Sequence, residues 1–310
     1  MTSQMQREIQ YGKAAVAVYR TYAPPLRGVT AIPESPYAGD DHTLAGVEVE
    51  IVVRGEVFMP AYTEGDNRLV VATDTMKNFI HAAFLRCERP TMEGWLFEIG
   101  SAFLAQYPHM ERITMFGRGL PFPAALVATD GGFAASDRLF ARDRNDASWA
   151  SLDLERDSSG GVRVSGHACE RRELQLIKIT GSAFADFARD EHTTLPERRD
   201  RPLYTWVDVG WQYADPADAL GDDPARYVAG EQVADLAASV FHDFVSLSIQ
   251  HLVNEIGTRM LDRWPQLAEV SFEAQNRLWD IGLVSETDER VRVYCDPRPP
   301  FGRIGLRLTR

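Results

Sequence analysis

The sequence is poor in cysteine. Only three cysteines occur in 310 residues, and Cys87, Cys169 and Cys295 lie far apart in the chain. An odd number of widely spaced cysteines provides neither a disulfide framework nor a Cys-x-x-Cys metal or redox motif. Such usage is typical of a protein in a reducing compartment.

Long apolar runs are also missing. No uninterrupted run approaches the length of about 20 residues that a membrane-spanning helix needs. The first residues, MTSQMQREIQYGK, contain no apolar core of the kind found in a signal peptide. We therefore expect a cytoplasmic protein, with no membrane among its partners.

Positive charge is in deficit. The chain has 33 Lys and Arg residues against 45 Asp and Glu residues, which gives a formal net charge of -12 at pH 7. A strongly acidic chain is repelled by phosphate backbones and by anionic lipid, so we expect no nucleic acid among its partners. A small anionic ligand would need a locally basic pocket.

Motifs for metals and nucleotide cofactors are absent from the sequence. The seven histidines form no His-x-His or His-Glu-x-x-His pattern, and no cysteine stands near them at metal-ligand spacing. There is no Gly-x-Gly-x-x-Gly loop, no P-loop lysine and no Gly-x-Ser-x-Gly elbow. We therefore predict neither a metal site nor an organic cofactor.

The chain does contain an internal repeat. FLAQYPHMERITM (103–115) shares its pattern with MLDRWPQLAEVSF (260–272), and Pro108 aligns with Pro265 at an offset of 157 residues. The same offset aligns AVAVYRTY (15–22) with RELQLIKI (172–179), and both alternate as strands do. Similarity at a fixed offset indicates a duplicated module. We predict one module over 1–155 and a second over 156–310.

Each module is predicted to have the order strand, strand, helix, helix, strand, strand. Because the helices are bunched between strand pairs, the pattern indicates an α+β fold with an antiparallel sheet and helices on one face. The open sheet edges favour association with other subunits. The predicted strands are 13–22, 44–58, 111–116, 120–128, 172–182, 203–213, 267–275 and 290–295. The predicted helices are 75–87, 92–106, 231–245 and 249–263, with a linker near 153–169.

The segment RLVVATDTMKNFIHAAF (68–84) has three side-chain oxygens where a helix is predicted to begin. The apolar residues from Met76 onward recur as an amphipathic stripe, so Thr73, Asp74 or Thr75 is expected to cap this helix. A cap uses one such residue, and three are present. The surplus oxygens beside the positive end of a helix could also bind a polar ligand.

A second polar segment is GSAFADFARDEHTTLPERRDRPLY (181–204). A solvated loop is the usual interpretation of such a charged run. Two features favour a binding function instead. Phe184 and Phe187 are large apolar residues within it, and Arg201 stands at the entrance to a predicted strand. Arginine suits planar, bidentate recognition of an anionic or carbonyl-rich ligand.

These segments resemble the urate oxidase family. The matching stretches occur in the family's order along the whole chain: YGK (11–13), VVATDTMKN (70–78), FARDEHTTLPERRDR (187–201), SIQ (248–250) and YCDPRPPFG (294–302). The last is similar to bacterial members. The resemblance implies two tunnelling-fold modules per subunit, and a homotetramer whose strands form a β-barrel. It also implies that active sites are shared between subunits.

The resemblance further implies oxidation of urate by O2 to 5-hydroxyisourate with release of H2O2, as a step in purine degradation and without a cofactor. Lys13 matches the family's catalytic lysine, and Thr73 matches the hydroxyl partner with which it forms a proton relay. A lysine acts as a base only when burial or neighbouring charges lower its pKa. Asp74 follows Thr73, and both would reach the partner's pocket to contact the purine.

The remaining matched residues would bind the substrate. Arg201 and Gln250 match the pair that holds the urate carbonyls and ring edges, because a guanidinium and an amide offer complementary planar groups. Phe184 matches the ring that stacks on the purine. Ile249 is expected to contribute a backbone contact, and Asn276 matches an asparagine near the oxygen and water site.

One position departs from the family. In AQNRLWD (274–280), Leu278 stands where many relatives have a histidine, although the Asn-Arg-x-Trp pattern is similar to the bacterial subgroup. His42, His81 or an ordered water could take the place of that histidine. The alternative function is a catalytically weakened purine-binding or pterin-binding tunnelling-fold protein. Most pterin enzymes of this fold need clustered Cys and His zinc ligands or a Glu that anchors the pterin, and the metal-ligand cluster is missing from this sequence.

Overall fold

The computed structural model describes residues 7–142 and 144–310. Residues 1–6, on which the expectation about a signal peptide partly rests, lie outside this description. The chain forms two compact units. The first contains residues up to Thr30, Ala38–Cys169 and Asp215–Tyr227, and the second contains Ala31–Tyr37, Glu170–Ala214 and Val228–Arg310. The predicted module boundary at 155/156 stays a prediction.

The first unit is built on an antiparallel sheet. Its strands follow the order β1-β4-β5-β8-β9, and the pairs β1/β4, β4/β5 and β5/β8 are antiparallel. The strands of this unit are β1 (Gln10–Thr21), β2 (Leu26–Arg27), β3 (Gly39–Asp40), β4 (Leu44–Arg54), β5 (Arg112–Gly119), β6 (Ala124–Thr129), β7 (Gly132–Phe140), β8 (Ala147–Arg156) and the first half of β9 (Val162–Lys178). The helices are α1 (Met59–Thr63), α2 (Thr73–Phe84) and α3 (Met92–Gln106), with 3₁₀ helices at Glu56–Phe58 and Pro216–Ala219.

Alternation along β4 explains where the core of this unit lies. Every second residue of β4 is buried, and the residues between them are half-buried. Side chains of a strand point alternately to opposite faces, so one face of the sheet is covered. The apolar stripes of α2 and α3 cover it, through residues such as Met76, Ile80, Leu96 and Phe103. The predicted α+β fold with helices packed on an antiparallel sheet is confirmed.

The second unit repeats this plan. Its sheet continues from β9 through β10, β11 and β14, and α5 packs on β11 and β14. The elements are β10 (Leu203–Tyr213), α4 (Gly230–Asp243), α5 (Ile249–Arg263), β11 (Leu267–Asn276), β12 (Asp280–Val284), β13 (Arg292–Cys295) and β14 (Gly302–Thr309). Each half contributes two strands to the large sheet before its two long helices and two strands after them, which is the order that the repeat predicts. Among the described residues, no helix is long and apolar enough to cross a membrane.

The last strand of each half differs from the prediction. Residues 120–128 and 290–295 were expected to complete the sheets, but they contribute to the separate hairpins β6/β7 and β12/β13. The sheets are completed by β8 and β14. Leu152 and Leu154 of β8 are fully buried, whereas Leu126 of β6 is 70% exposed. Local alternation is similar in both segments, and packing against the helices selects β8.

The predicted linker at 153–169 is also wrong. This stretch belongs to β8 and β9, which are neighbours in the sheet. Its glycines and serines form a tight turn, in which the Asp157 carboxylate accepts hydrogen bonds from the backbone N–H groups of Ser159 (2.8 Å) and Gly161 (2.9 Å). The Ser, Gly and charged residues that suggested a linker belong to a turn of five residues. Asp and Gly favour tight turns as well as linkers.

Candidate active site

Lys13 lies on β1 beside an irregularity in strand pairing. It pairs with Ile51 of β4, and the register shifts before the next pair, Val16 with Val49. The strands approach so closely at Gly12 that a Cβ atom there would lie 1.9 Å from the carbonyl oxygen of Ile51. The glycine of the YGK segment is therefore a packing requirement. It permits the local geometry that presents Lys13, whose side chain is half-buried.

Thr73 and Asp74 lie in the first turn of α2. The residue at the N-cap is Ala72, and among the described residues no side chain accepts a capping hydrogen bond there. The expectation that Thr73, Asp74 or Thr75 caps this helix is therefore wrong. A capping side chain works from the extended position before the helix, and these three residues already have helical positions. All three residues are exposed at the start of α2, where the first-turn N–H groups have no partner within the helix.

Lys13 and Asp74 influence one another electrostatically. The Asp74 carboxylate accepts hydrogen bonds from Lys77 (2.5 Å) and Asn78 (3.2 Å). Hydrogen bonding from Lys77 lowers the pKa of Asp74, and the positive charge of Lys13 acts in the same direction. The carboxylate is therefore ionised at neutral pH. The first unit thus brings together Lys13 and the residues at the start of α2.

Phe184 and Arg201 lie together in the second unit. The Arg201 guanidinium carbon is 5.4 Å from the centre of the Phe184 ring. Two backbone hydrogen bonds of 2.7 and 2.9 Å join Phe184 to Arg198 and close the intervening loop. Phe187 stacks on Phe184 with ring centres 4.9 Å apart and an angle of 14° between the planes. The predicted stacking residue therefore lies in a preformed aromatic layer.

Arg201 is buried without a carboxylate partner. Its exposed fraction is 8%, and Nε has no hydrogen-bond partner in the described part of the chain. Burial lowers its pKa, but an arginine stays protonated far above neutral pH. A buried, unsatisfied positive charge costs free energy unless an anion or acceptor neutralises it. Arg201 is thus prepared to bind a negatively charged, planar ligand.

Ile249 and Gln250 are the first two residues of α5. The hydroxyl of Ser248 caps this helix by accepting a hydrogen bond from the N–H of His251 (3.0 Å). The N–H groups of Ile249 and Gln250 have no acceptor within the helix, since first-turn groups precede its hydrogen-bonding ladder. Ile249 is buried, and the Gln250 side chain is exposed. This geometry suits the predicted backbone contact from Ile249.

A buried serine pair joins the start of α5 to the Phe184 segment. The Ser246 hydroxyl donates to the Ser182 hydroxyl (3.0 Å), and both residues are fully buried. The N–H of Ala183 donates to the carbonyl of Ser246 (2.7 Å), and the N–H of Arg201 donates to the carbonyl of Ser182 (2.9 Å). The segments that carry Phe184, Arg201 and Gln250 are thereby connected.

Asn276 ends β11 and pairs with Thr205 of β10. Its Oδ1 atom is buried and lacks a hydrogen-bond partner among the residues described here. The next residue, Arg277, lies 3.4 Å over the Trp206 ring and 4.7 Å from the centre of the Phe301 ring. This stack holds the chain directly after Asn276. The sequence analysis did not predict it, and the Arg of the Asn-Arg-x-Trp pattern is the one sequence feature that points to it.

Leu278 and Arg201 line the same cavity of about 720 Å³. Trp279 and Tyr294 form part of its wall, with ring centres 5.5 Å apart. An apolar side chain therefore lines the same cavity as the buried guanidinium. His42 is buried, and its Nδ1 is 2.7 Å from the carbonyl oxygen of Pro24, so it is held in the core. His81 lies on the exposed side of α2.

Among the described residues, no three His, Cys, Asp or Glu side chains lie close enough together to hold a metal ion. The groups present are instead a lysine and hydroxyls in the first unit, and a buried arginine, an aromatic layer and unsatisfied amide oxygen in the second. Such groups bind, orient and exchange protons with a planar polar ligand.

Comparison with known proteins points to one family. The sequence profile of the family described as Uricase matches residues 171–305. The chain is 45% identical over 308 residues to the "Uric acid degradation bifunctional protein PucL" of Bacillus subtilis, covering 99% of this chain and 62% of that protein. It thus spans less than two thirds of that bifunctional relative. It is also 45% identical to a uricase of Halalkalicoccus jeotgali, with 95% of each chain covered.

Solved structures agree as well. The crystal structure of a uricase from Bacillus fastidious superposes with a TM-score of 0.94 at 44% identity, covering 98% of this chain and 94% of that chain. Identity near 45% over almost the whole of a uricase, together with the same fold, is decisive for membership. This chain belongs to the uricase family.

Proposed function

We propose that the protein is a urate oxidase, which oxidises urate with O2 to 5-hydroxyisourate and H2O2 in purine degradation. The observation that carries the proposal is the buried Arg201, whose Nε has no hydrogen-bond partner among the described residues and whose guanidinium lies over the Phe184 ring. Urate is a flat anion with several carbonyl groups, and it satisfies both the charge and the ring. An acidic chain of net charge -12 needs such a local positive site to hold an anion.

Substrate binding is assigned to the second unit. Arg201 donates to the urate carbonyl and ring edge, and Gln250 adds an amide that both donates and accepts. The N–H of Ile249 lies at the start of α5, where the helix end favours negative charge. Phe184 stacks on the purine. Phe187 and Arg201 now lie against the Phe184 ring, so the ring face that receives the purine must first be uncovered. These contacts fix the ring before any chemistry.

Proton transfer is assigned to Lys13 and Thr73. Lys13 accepts the proton of bound urate, with the Thr73 hydroxyl as the relay, and the resulting electron-rich anion reacts with O2. Both oxygen atoms of O2 leave in H2O2, so the oxygen added to urate comes from water. Urate loses two electrons, and O2 gains two electrons and two protons. Neither a metal nor an organic cofactor is required by this balance.

Asp74 and Asn276 have supporting functions in this scheme. Asp74 is ionised and exposed at the start of α2, and it accepts a hydrogen bond from a ring N–H of urate. Asn276 has a buried Oδ1 without a partner among the described residues, and it accepts a hydrogen bond from the water that adds at the purine face. Leu278 leaves no titratable group at its own position, so Lys13 and Thr73 carry the relay with water.

We further propose that the protein is a homotetramer whose sites form between subunits. The edge strands β1 and β14 each pair with a single strand within residues 7–142 and 144–310, and open edges favour pairing with another copy. Lys13, Thr73 and Asp74 would come from one subunit. Phe184, Arg201, Ile249, Gln250 and Asn276 would come from its neighbour.

The test is turnover of urate by the purified, chelator-treated protein. We expect loss of urate absorbance with equimolar O2 consumption and equimolar H2O2, detected with a coupled peroxidase. Activity that a chelator removes and a metal restores would show that the cofactor-free assignment is wrong. Urate binding without turnover would instead support the weakened purine-binding alternative, and absence of both would refute the assignment of substrate.

A further inference from the structure

The segment that leads into α2 is held by two side chains from other parts of the first unit. The N–H of Val71 donates a hydrogen bond to the hydroxyl of Tyr11 (3.2 Å). The carbonyl oxygen of Leu69 lies 2.9 Å from Nε2 of His109. Two backbone atoms of a loop are thus fixed directly before Thr73. Val71 precedes Thr73, the first residue of α2, by only two residues, so fixing this loop also fixes the place of Thr73.

Tyr11 is itself rigidly placed. It lies on β1, where it pairs with Val53 of β4. Its ring packs edge-on against Phe58 with ring centres 5.1 Å apart, and Phe58 is 2% exposed. The His109 ring also packs edge-on against Phe58, with ring centres 5.9 Å apart. A side chain with its strand and its ring both fixed can hold a hydrogen-bond acceptor at a defined position.

The same strand carries Lys13. Residues two apart on a strand point to the same face, so Tyr11 and Lys13 share a face of β1 before the register shift. The bond from Val71 to Tyr11 therefore joins the strand that presents Lys13 to the loop that presents Thr73. The start of α2 has no capping side chain among the described residues, so its own sequence does not fix this junction.

We propose that Tyr11 is a positioning residue that sets the place of Thr73 relative to Lys13 and so completes the proton relay. The inference rests on the proposed urate oxidase function. Tyr11 acts through the Val71 N–H, and it takes no part in binding or proton transfer. Reacting groups displaced by about 1 Å can lose roughly 100-fold in rate, so one hydrogen bond at this junction affects kcat.

The test compares Tyr11→Phe with Tyr62→Phe. The first removes the acceptor for Val71 and keeps the ring on Phe58. The second is the matched control, because the Tyr62 hydroxyl donates to the carbonyl of Gln10 on the same strand (2.7 Å), whereas the Val71 N–H donates to Tyr11. We expect Tyr11→Phe to lower kcat about tenfold or more with little change in KM, and Tyr62→Phe to retain kcat.

Two further measurements separate positioning from general stability. Amide hydrogen exchange of residues 69–75 should quicken in Tyr11→Phe and not in Tyr62→Phe. Adding Tyr11→Phe to Thr73→Ala should cause no further loss of kcat, because the relay is already broken. Additive losses, or faster exchange with an unchanged kcat, would overturn the proposal. A wild-type protein without urate turnover would refute the proposed function, and the exchange comparison would still decide whether Tyr11 orders this loop.

Discussion

At the scale of single residues, the burial of Arg201 has a consequence for binding. A guanidinium with 8% exposure and an unpartnered Nε gains hydrogen bonds when urate arrives, and it gives up little hydration at that moment. Neighbouring Arg198 lines the same cavity but is exposed, so its guanidinium stays hydrated and gains less from an anion. The two arginines are three residues apart, and they make a matched pair for substitution.

We expect Arg201→Ala to weaken urate binding strongly. Losing a charge-assisted hydrogen bond costs about 1.5–3 kcal/mol, which is roughly tenfold to more than a hundredfold in affinity. Gln250→Ala should act in the same direction, and Arg198→Ala should change KM little. Steady-state kinetics with urate measure this. Equal effects of the Arg201 and Arg198 substitutions would show that binding depends on general surface charge.

The relay residues should fail in a different way. Lys13→Met and Thr73→Ala are expected to lower kcat by roughly 10²–10⁴-fold, the range typical of proton transfer by a positioned group, while urate still binds. The double variant should lose little beyond the worse single variant, since groups that act as a unit are non-additive. Binding is measured anaerobically. Full additivity in kcat would argue against a shared relay.

His167 on β9 gives a prediction for stability against pH. Burial lowers its pKa below the usual value of a histidine, so the unfolded chain binds a proton more readily than the folded chain. The contribution of neutral His167 to the free energy of unfolding is fully present above the pKa of about 6.5 that histidine has in the unfolded chain. It is lost as the pH falls below that value. We expect His167→Gln to reduce the fall in Tm between pH 7.5 and pH 5.5. An unchanged fall would show that other groups control it.

At the scale of elements, Gly12 joins the packing of β1 to Lys13, the proposed catalytic lysine. A methyl group would meet the Ile51 carbonyl at 1.9 Å, and a backbone oxygen in a paired strand cannot move aside cheaply. We expect Gly12→Ala to destabilise the fold by about 1–3 kcal/mol, as overpacking does, and to lower kcat by displacing Lys13. Thermal unfolding and urate kinetics measure the two effects.

Gly119→Ala is the control for this substitution. Gly119 ends β5, another strand of the same sheet, and its added Cβ would lie 3.5 Å from the nearest atom, an ordinary contact. A smaller unfolded-state entropy can make such a change neutral or slightly stabilising. Similar losses of Tm in the two variants would mean that the close approach at Gly12 is not the cause.

At the scale of the whole molecule, shared sites predict complementation between inactive chains. At urate concentrations well below KM, Lys13→Met and Arg201→Ala chains should each be nearly inactive. A co-expressed mixture contains oligomers in which an intact Lys13 faces an intact Arg201, and random pairing should restore about one quarter of wild-type activity. Differently tagged chains and light scattering establish that mixed tetramers form. Mixed tetramers without recovered activity would place each site within one subunit.

The sequence by itself determined the fold class and the family. Alternation in β4 and the stripes of α2 and α3 come from a local period, because each element must bury one face. The duplicated pattern around Pro108 and Pro265 indicated two copies of one plan. The YGK, VVATDTMKN and SIQ segments indicated the family, since each of them combines residue types that the fold alone does not require.

Only the tertiary structure decided which strands complete the sheets. The segments 120–128 and 290–295 alternate as strands should, but they form hairpins, and β8 and β14 take the places in the sheets. Strand pairing is a contact between distant residues, so local pattern cannot select among candidates. The same holds for Arg201 and the start of α2. Arg201 is buried with its Nε unpartnered among the described residues, and the start of α2 has Ala72 at its N-cap position and is held through Tyr11. Both features arise from packing between elements distant in sequence.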